Sequence, residues 1–187
     1  MRKKIALIFL LFGLPITGIV VLGVLGTHKF NKLPYYSLEG RLDSLSSDAH
    51  QVGEFSLLNQ NSEQFGSEDL EGKVWIAAFF ATNSEHVGAT TKQLLWPNWR
   101  YRNKEEIAIV CFTLNPEYDT PEVLTEYVNK NTRYNTADNW QFLTGDKSVI
   151  DKIIEEEFLI TRDSIDPGNI ATLWLVDANG YLRGVYH

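Results

Sequence analysis

Lys73–Gly88 reads KVWIAAFFATNSEHVG. Val74 to Phe80 is an unbroken apolar run with β-branched and aromatic members, the pattern of a strand covered on both faces. Thr82-Asn83-Ser84-Glu85 follows. Small polar residues of this kind suit a turn and the N-terminus of a helix. The stretch predicts a buried strand, a short exposed loop and a helix start. The loop carries no thiol.

Working outward, His86 to about Leu95 predicts a helix that Pro97 disturbs, with Trp96 and Trp99 expected to pack on the domain. Ile107 to Leu114, IAIVCFTL, predicts a second buried strand. It holds Cys111, expected to be an inert core residue. Asn115 to Pro121 breaks that strand and opens a helix, with Pro121 in the first turn and Thr120 or Asp119 capping. Val123, Leu124, Tyr127 and Val128 fall on one face of it. Trp140 to Thr144 predicts a third strand, and Val149, Ile150, Ile153 and Ile154 a further amphipathic helix. Glu155-Glu156-Glu157 is expected to be a solvated face rather than a metal site. Thr172 to Asp177 predicts a fourth strand, which Ala178-Asn179-Gly180 turns back into Tyr181 to Tyr186. Ahead of the core strand, Val52 to Gln60 predicts a short strand. Asn59 to Gly72 predicts a hairpin and turn anchored by Phe65 and Leu70. The order β-β-α-β-α-β-α-β-β implies parallel βαβ units with an antiparallel edge.

The chain has 187 residues, a net charge of −7 and one cysteine. The acidic balance points away from nucleic acid as a partner. A lone cysteine excludes an intrachain disulfide and C-x-x-C redox chemistry. Arg2, Lys3 and Lys4 precede Ile5 to Gly26, which holds no charged residue. As a helix that run measures about 33 Å, enough to cross the hydrocarbon core of a membrane. Its length, without a small-residue cleavage site, favours an uncleaved anchor over a signal peptide. The expected organisation is a cytoplasmic N-terminus and transmembrane anchor over 1–26, a tether over 27–51 and one α/β domain over 52–187. His28 and His50 are expected to be solvated residues in or near the tether. The basic N-terminus places the domain on the outer side of a bacterial inner membrane, facing the periplasm or cell exterior.

Several pieces stand in a telling order: the apolar N-terminal run; Leu70 to Trp75 leading into Phe79-Phe80; Asn115-Pro116 with Asp119 to Leu124 (DTPEVL); Leu143-Thr144-Gly145; Leu175-Val176-Asp177 with Gly180 and Arg183-Gly184. With these the chain resembles the Sco/SenC family of membrane-anchored, thioredoxin-fold proteins that assist assembly of the copper centre of cytochrome c oxidase. The resemblance implies a thioredoxin-like domain with a central mixed sheet flanked by helices. It also pairs the family's copper ligands, two cysteines and a histidine, with Ser84, Gly88 and Asn169, and the Asp of its Asp-Pro step with Asn115. None of the three ligand positions keeps a thiol or imidazole, the donors that suit copper. The family's last helix is also missing after Gly184-Val185-Tyr186-His187. Either the sequence is a fragment, or that sheet face is covered by something else.

Three functions compete. In the first, the protein keeps fold and anchor but no metal, has no catalytic residues and no cofactor, and binds a protein partner: an oxidase subunit or an intact paralogue. In the second, copper is held at a remodelled site using His86, with Glu85 and His187 nearby. In the third, Ser84 acts as a nucleophile with His86 as base.

Overall fold

The structure, a computed structural model, describes residues 33–37, 40–42, 44–85, 87–132, 139–160 and 172–186. Two compact units divide the chain, Met1–Lys32 and Leu33–His187. The expected anchor falls outside the described residues, as do His28, His86, Asn169 and His187. Among the described residues no helix is long and apolar enough to cross a membrane.

The strands are β1 (Tyr35–Ser37), β2 (Gly40–Leu42), β3 (Ser56–Asn59), β4 (Gln64–Gly66), β5 (Val74–Phe80), β6 (Ile107–Thr113), β7 (Trp140–Thr144), β8 (Leu173–Val176) and β9 (Leu182–Tyr186). The helices are α1 (Val87–Tyr101), α2 (Pro121–Asn131) and α3 (Lys147–Lys152). A π-helical turn, Ile153–Glu157, continues α3. β1 and β2 form a hairpin of their own, and the remaining described strands form one sheet in the order β4-β3-β7-β6-β5-β8-β9. β5, β6 and β7 are mutually parallel, joined through α1 and α2. β3 runs antiparallel to β7, and β8 and β9 close the other edge antiparallel. The central order matches the pattern read from the sequence, with β1, β2 and β4 added.

Alternation along β5 builds two cores. Trp75, Ala77 and Phe79 face one side with Phe55, Phe112, Ile153, Ile154 and Phe158. Ala78 and Phe80 face the other with Leu94, Ile109, Cys111, Leu124, Trp140 and Phe142, under α1 and α2. The strand is buried on both faces, which is why its sequence is continuously apolar instead of alternating. Over β8 the second face thins out. Ile76, Leu173 and Leu175 are only half-buried, and Tyr186 beside them is exposed. At the β8–β9 turn Gly180 takes φ +80°, a conformation that favours glycine. The Asp177 carboxylate accepts from the N–H groups of Asn179 and Tyr181, each at 3.0 Å.

Cys111 is fully buried, and its Sγ accepts from Trp140 Nε1 at 3.2 Å. Burial pushes its thiol up to about 12, the indole N–H opposing only in part. At pH 8 the native thiolate fraction is therefore on the order of 1 in 10,000. Native protein should not react with a thiol-exchange reagent at pH 8 and should label stoichiometrically in guanidinium. Because the folded value lies above the unfolded one, the native state holds the extra proton above pH about 9. Stability should fall as pH rises from there towards 12.

The structure corrects several expectations and decides one that was open. Pro97 does not end α1, which runs on to Tyr101. Proline removes one helical hydrogen bond. Leu94 and Asn98, buried on either side of it, hold both turns to the sheet. Trp96 and Trp99 do not pack on the domain; they are 62% and 58% exposed. The inward face of α1 is set by Thr90, Thr91, Leu94 and Asn98, and at about 100° per residue both indoles point away from it. Of the two expected capping candidates, Thr120 caps α2, its side chain accepting from Val123 N–H. Within the span expected to be a tether lie β1 and β2, and β1 packs on β9. Tyr35 meets Tyr181 edge-on at 5.7 Å, and Arg183 stacks on Tyr35 at 3.9 Å. His50 is not a free tether residue: it is half-buried and its Nε2–H donates to the Glu157 carbonyl at 2.7 Å. Lastly, Glu155 and Glu156 are exposed as expected, but Glu157 turns inward and accepts from Gly53 N–H at 2.6 Å. The π turn rotates it off the outer face.

Candidate functional site

The loop sits where parallel strands deliver it, beyond the carboxyl ends of β5 and β6. Leu114 N–H donates to the Phe80 carbonyl at 2.6 Å, so the two strands stay paired up to the loop. Ser84 N–H then donates to Ala81 O at 3.0 Å, and Val87 N–H to Ser84 O at 3.3 Å, two tight turns that lead into α1.

The residue that holds this arrangement is Asp119. It is fully buried. Its carboxylate accepts from the Thr82 N–H at 3.2 Å and from the hydroxyls of Thr82 and Thr113. One side chain therefore joins the loop after β5, the end of β6 and the approach to α2. The chain reaches it through a second turn: Asp119 N–H and Tyr118 N–H both donate to Asn115 O, at 2.9 and 3.0 Å, while Asn115 N–H donates to Thr113 Oγ1 at 3.0 Å. The DTPEVL sequence thus has separate tasks for adjacent residues. Asp119 goes inward to the loop, Thr120 caps, and Pro121 starts α2. From the sequence Asp119 is a capping candidate and the first residue of the DTPEVL stretch, and its role as a clamp is not legible there. A polar residue just after a buried strand was the signal available, but its partners lie far along the chain.

A second polar contact steadies the helix start. Thr91 Oγ1 meets Tyr127 OH, and both lie by the Val87 carbonyl, at 3.2 and 3.4 Å. Burial raises the Tyr127 phenol above its ordinary value, against the Thr91 hydrogen bond. It remains a neutral structural donor at physiological pH.

Ser84 and Gly88, the positions paired with copper-binding cysteines, are both half-buried on this loop and the first turn of α1. Gly88 has no steric requirement for glycine: a Cβ there would have nothing within 4 Å. Asn169, the third position, and His86, the alternative ligand and base, lie outside the described residues. The side chains at the described positions, Ser84 and Gly88, do not fit copper. A neutral hydroxyl at Ser84 is a hard ligand, and Gly88 supplies no side chain. Among the described residues no group of three or more His, Cys, Asp or Glu is placed to hold a metal. Cys111 is remote from the loop in character as well as position, at mid-strand, buried and protonated.

Comparison with known proteins agrees with this architecture. The family model described as SCO1/SenC matches residues 43–186. An SCO2-like protein of Rickettsia felis is 29% identical over 166 residues, covering 83% of this chain and 78% of its own. The solved structure of BsSco, a member of the Sco family of cytochrome c oxidase assembly proteins with a disulfide switch, superposes with a TM-score of 0.63. It is 25% identical and covers 73% of this chain and 83% of its own. Yeast Sco1 with copper bound gives a TM-score of 0.57 at 22% identity, over 73% of this chain and 81% of its own, a likeness of fold.

Proposed function

This chain belongs to the SCO1/SenC family, and from that premise we propose that it is a membrane-anchored member that works in cytochrome c oxidase assembly by binding a protein partner, not by carrying copper. The observation that carries the proposal is the contrast at one loop. The framework is intact, with Thr82, Thr113 and Asp119 locked together, while the ligand positions hold Ser84 and Gly88. A loop built to position ligands it does not have retains only its shape. The partner is an oxidase subunit or a family member with its thiols intact. The charge-free run Ile5–Gly26 anchors the chain as a single pass, with the domain on the periplasmic or outer side. The protein is not an enzyme, and Ser84 is no nucleophile.

Two measurements test this. Anaerobic titration of the full chain with Cu(I) and Cu(II) should show no one-to-one complex. In a strain lacking the gene, the wild-type chain and Ser84→Ala should restore cytochrome c oxidase activity equally. A stoichiometric copper complex lost on His86→Ala would replace the proposal with a remodelled metal site. A folded Ser84→Ala protein that fails to restore activity would replace it with catalysis.

A further inference from the structure

The outward face of α1 has no role in the site. At about 100° per residue it presents Lys92, Gln93, Trp96, Trp99 and Arg100 to solvent. All five are exposed, and the two indoles are among the most exposed large apolar side chains of the described domain. Tyr101 adds a third ring, edge-on to Trp96 at 6.4 Å, with the Arg100 guanidinium 5.4 Å above it. Arg102 and Lys104 follow, both exposed. In a chain of 24 acidic and 17 basic residues, α1 has no acidic residue at all. The first carboxylates after it are Glu105 and Glu106, the latter 3.7 Å from Lys104. Exposed Trp and Tyr beside Arg and Lys is the composition that settles at the boundary between lipid headgroups and acyl chains.

The topology puts this patch at one particular end of the sheet. Asn139, at the start of β7, donates to the carbonyls of both Tyr101 and Ile107, so the end of α1 lies by the amino ends of the parallel strands. The same end receives the N-terminal entry of the domain. Arg183 donates to Leu33 O at 2.7 Å and Pro34 O at 2.9 Å while pairing with Asp177 at 2.7 Å. Asp177 directly follows Val176, the partner of Trp75 at the beginning of β5. Leu33 and the Trp96–Arg102 segment therefore share the end opposite the Ser84 loop. The chain between Gly26 and Leu33 reaches at most about 25 Å when fully extended.

We propose that the Trp96, Trp99, Arg100 and Arg102 patch at the end of α1 docks on an anionic phospholipid surface, holding the domain against its own membrane with the Ser84 loop directed away. The inference rests on the anchor reading above. The patch opposes acidic headgroups in charge, and the short reach from Gly26 keeps it near them.

All five tryptophans, Trp75, Trp96, Trp99, Trp140 and Trp174, lie outside the apolar N-terminal run, so tryptophan quenching by lipid reports on the domain alone. The test uses the full chain in vesicles of phosphatidylcholine and phosphatidylglycerol, with and without bromine on the acyl chains. Bromination should quench the wild-type fluorescence. Trp96→Phe/Trp99→Phe should lose most of that quenching, and Arg100→Glu/Arg102→Glu should lose it with an unchanged circular dichroism spectrum. Vesicles of phosphatidylcholine alone should quench less. A chain that resists alkaline extraction from the vesicles, yet shows no quenching that depends on Trp96 and Trp99, keeps its anchor and overturns the docking surface. The helix face is then turned to water or to a protein. A chain that is extracted, but shows Trp-dependent quenching beforehand, keeps the docking surface and loses the anchor.

Discussion

Asp119→Ala should lose on the order of 3 kcal/mol of stability in urea unfolding, more than any nearby polar substitution. The carboxylate is fully buried and serves three donors, the Thr82 N–H and the hydroxyls of Thr82 and Thr113. Alanine leaves those donors facing a void, and each buried unpaired group costs its own desolvation. The loss should be local as well as global. Amide exchange over Thr82 to Glu85 should rise well above that of β5, because the loop loses its tie to the end of β6. Asp119→Asn keeps the volume and one acceptor oxygen and should fall between. Thr120→Ala is the internal control. It removes only the α2 cap and should cost about 1 kcal/mol without loosening the loop. An Asp119→Ala protein within about 1 kcal/mol of wild type would mean that the loop is held by other contacts.

Ser84→Cys/Gly88→Cys/Asn169→His should bind a single Cu(I) ion in competition with a chromophoric chelator, far more tightly than the wild-type chain. Two thiolates and an imidazole supply the soft donor set that the present loop lacks. The structure gives the specific reason to expect the middle substitution to be tolerated. Gly88 has open space where a Cβ would stand, so cysteine there displaces nothing. Ser84→Cys exchanges one small polar side chain for another at a half-buried position. The melting temperature should change little, and the double cysteine variant alone should bind more weakly than the triple. A folded triple variant that binds no copper would show that this loop has lost the geometry as well as the ligands. The contrast between framework and ligands that carries the binding proposal would then be lost.

Most of the central fold was legible because its signals are local. The run VWIAAFF is apolar at every position since β5 is covered on both sides, and its strand limits, Val74–Phe80, coincide with that run. IAIVCFT at β6 and the Asn-Gly turn between β8 and β9 were readable for the same kind of reason. Errors gathered where an outcome depended on a distant neighbour. Trp96 and Trp99 look like core residues by type, but the strands of the sheet take the Thr91, Leu94 and Asn98 face of α1 and leave both indoles outward. His50 looks like part of a tether, but the Glu157 carbonyl, far along the chain, takes its ring N–H.

The site divides in the same way. Amino-acid identity alone determined that Ser84 and Gly88 offer no thiol, that Cys111 has no partner for a disulfide, and that Ile5–Gly26 is uncharged. Those are properties of side chains and need no coordinates. Only the tertiary structure decided that Asp119 is the clamp and Thr120 the cap. It likewise decided that Gly88 has room for a side chain, and that Leu33 and the aromatic end of α1 lie at one end of the sheet. Burial, hydrogen-bond partners and shared ends arise when strands far apart in sequence pair in one register, and no local pattern encodes that pairing.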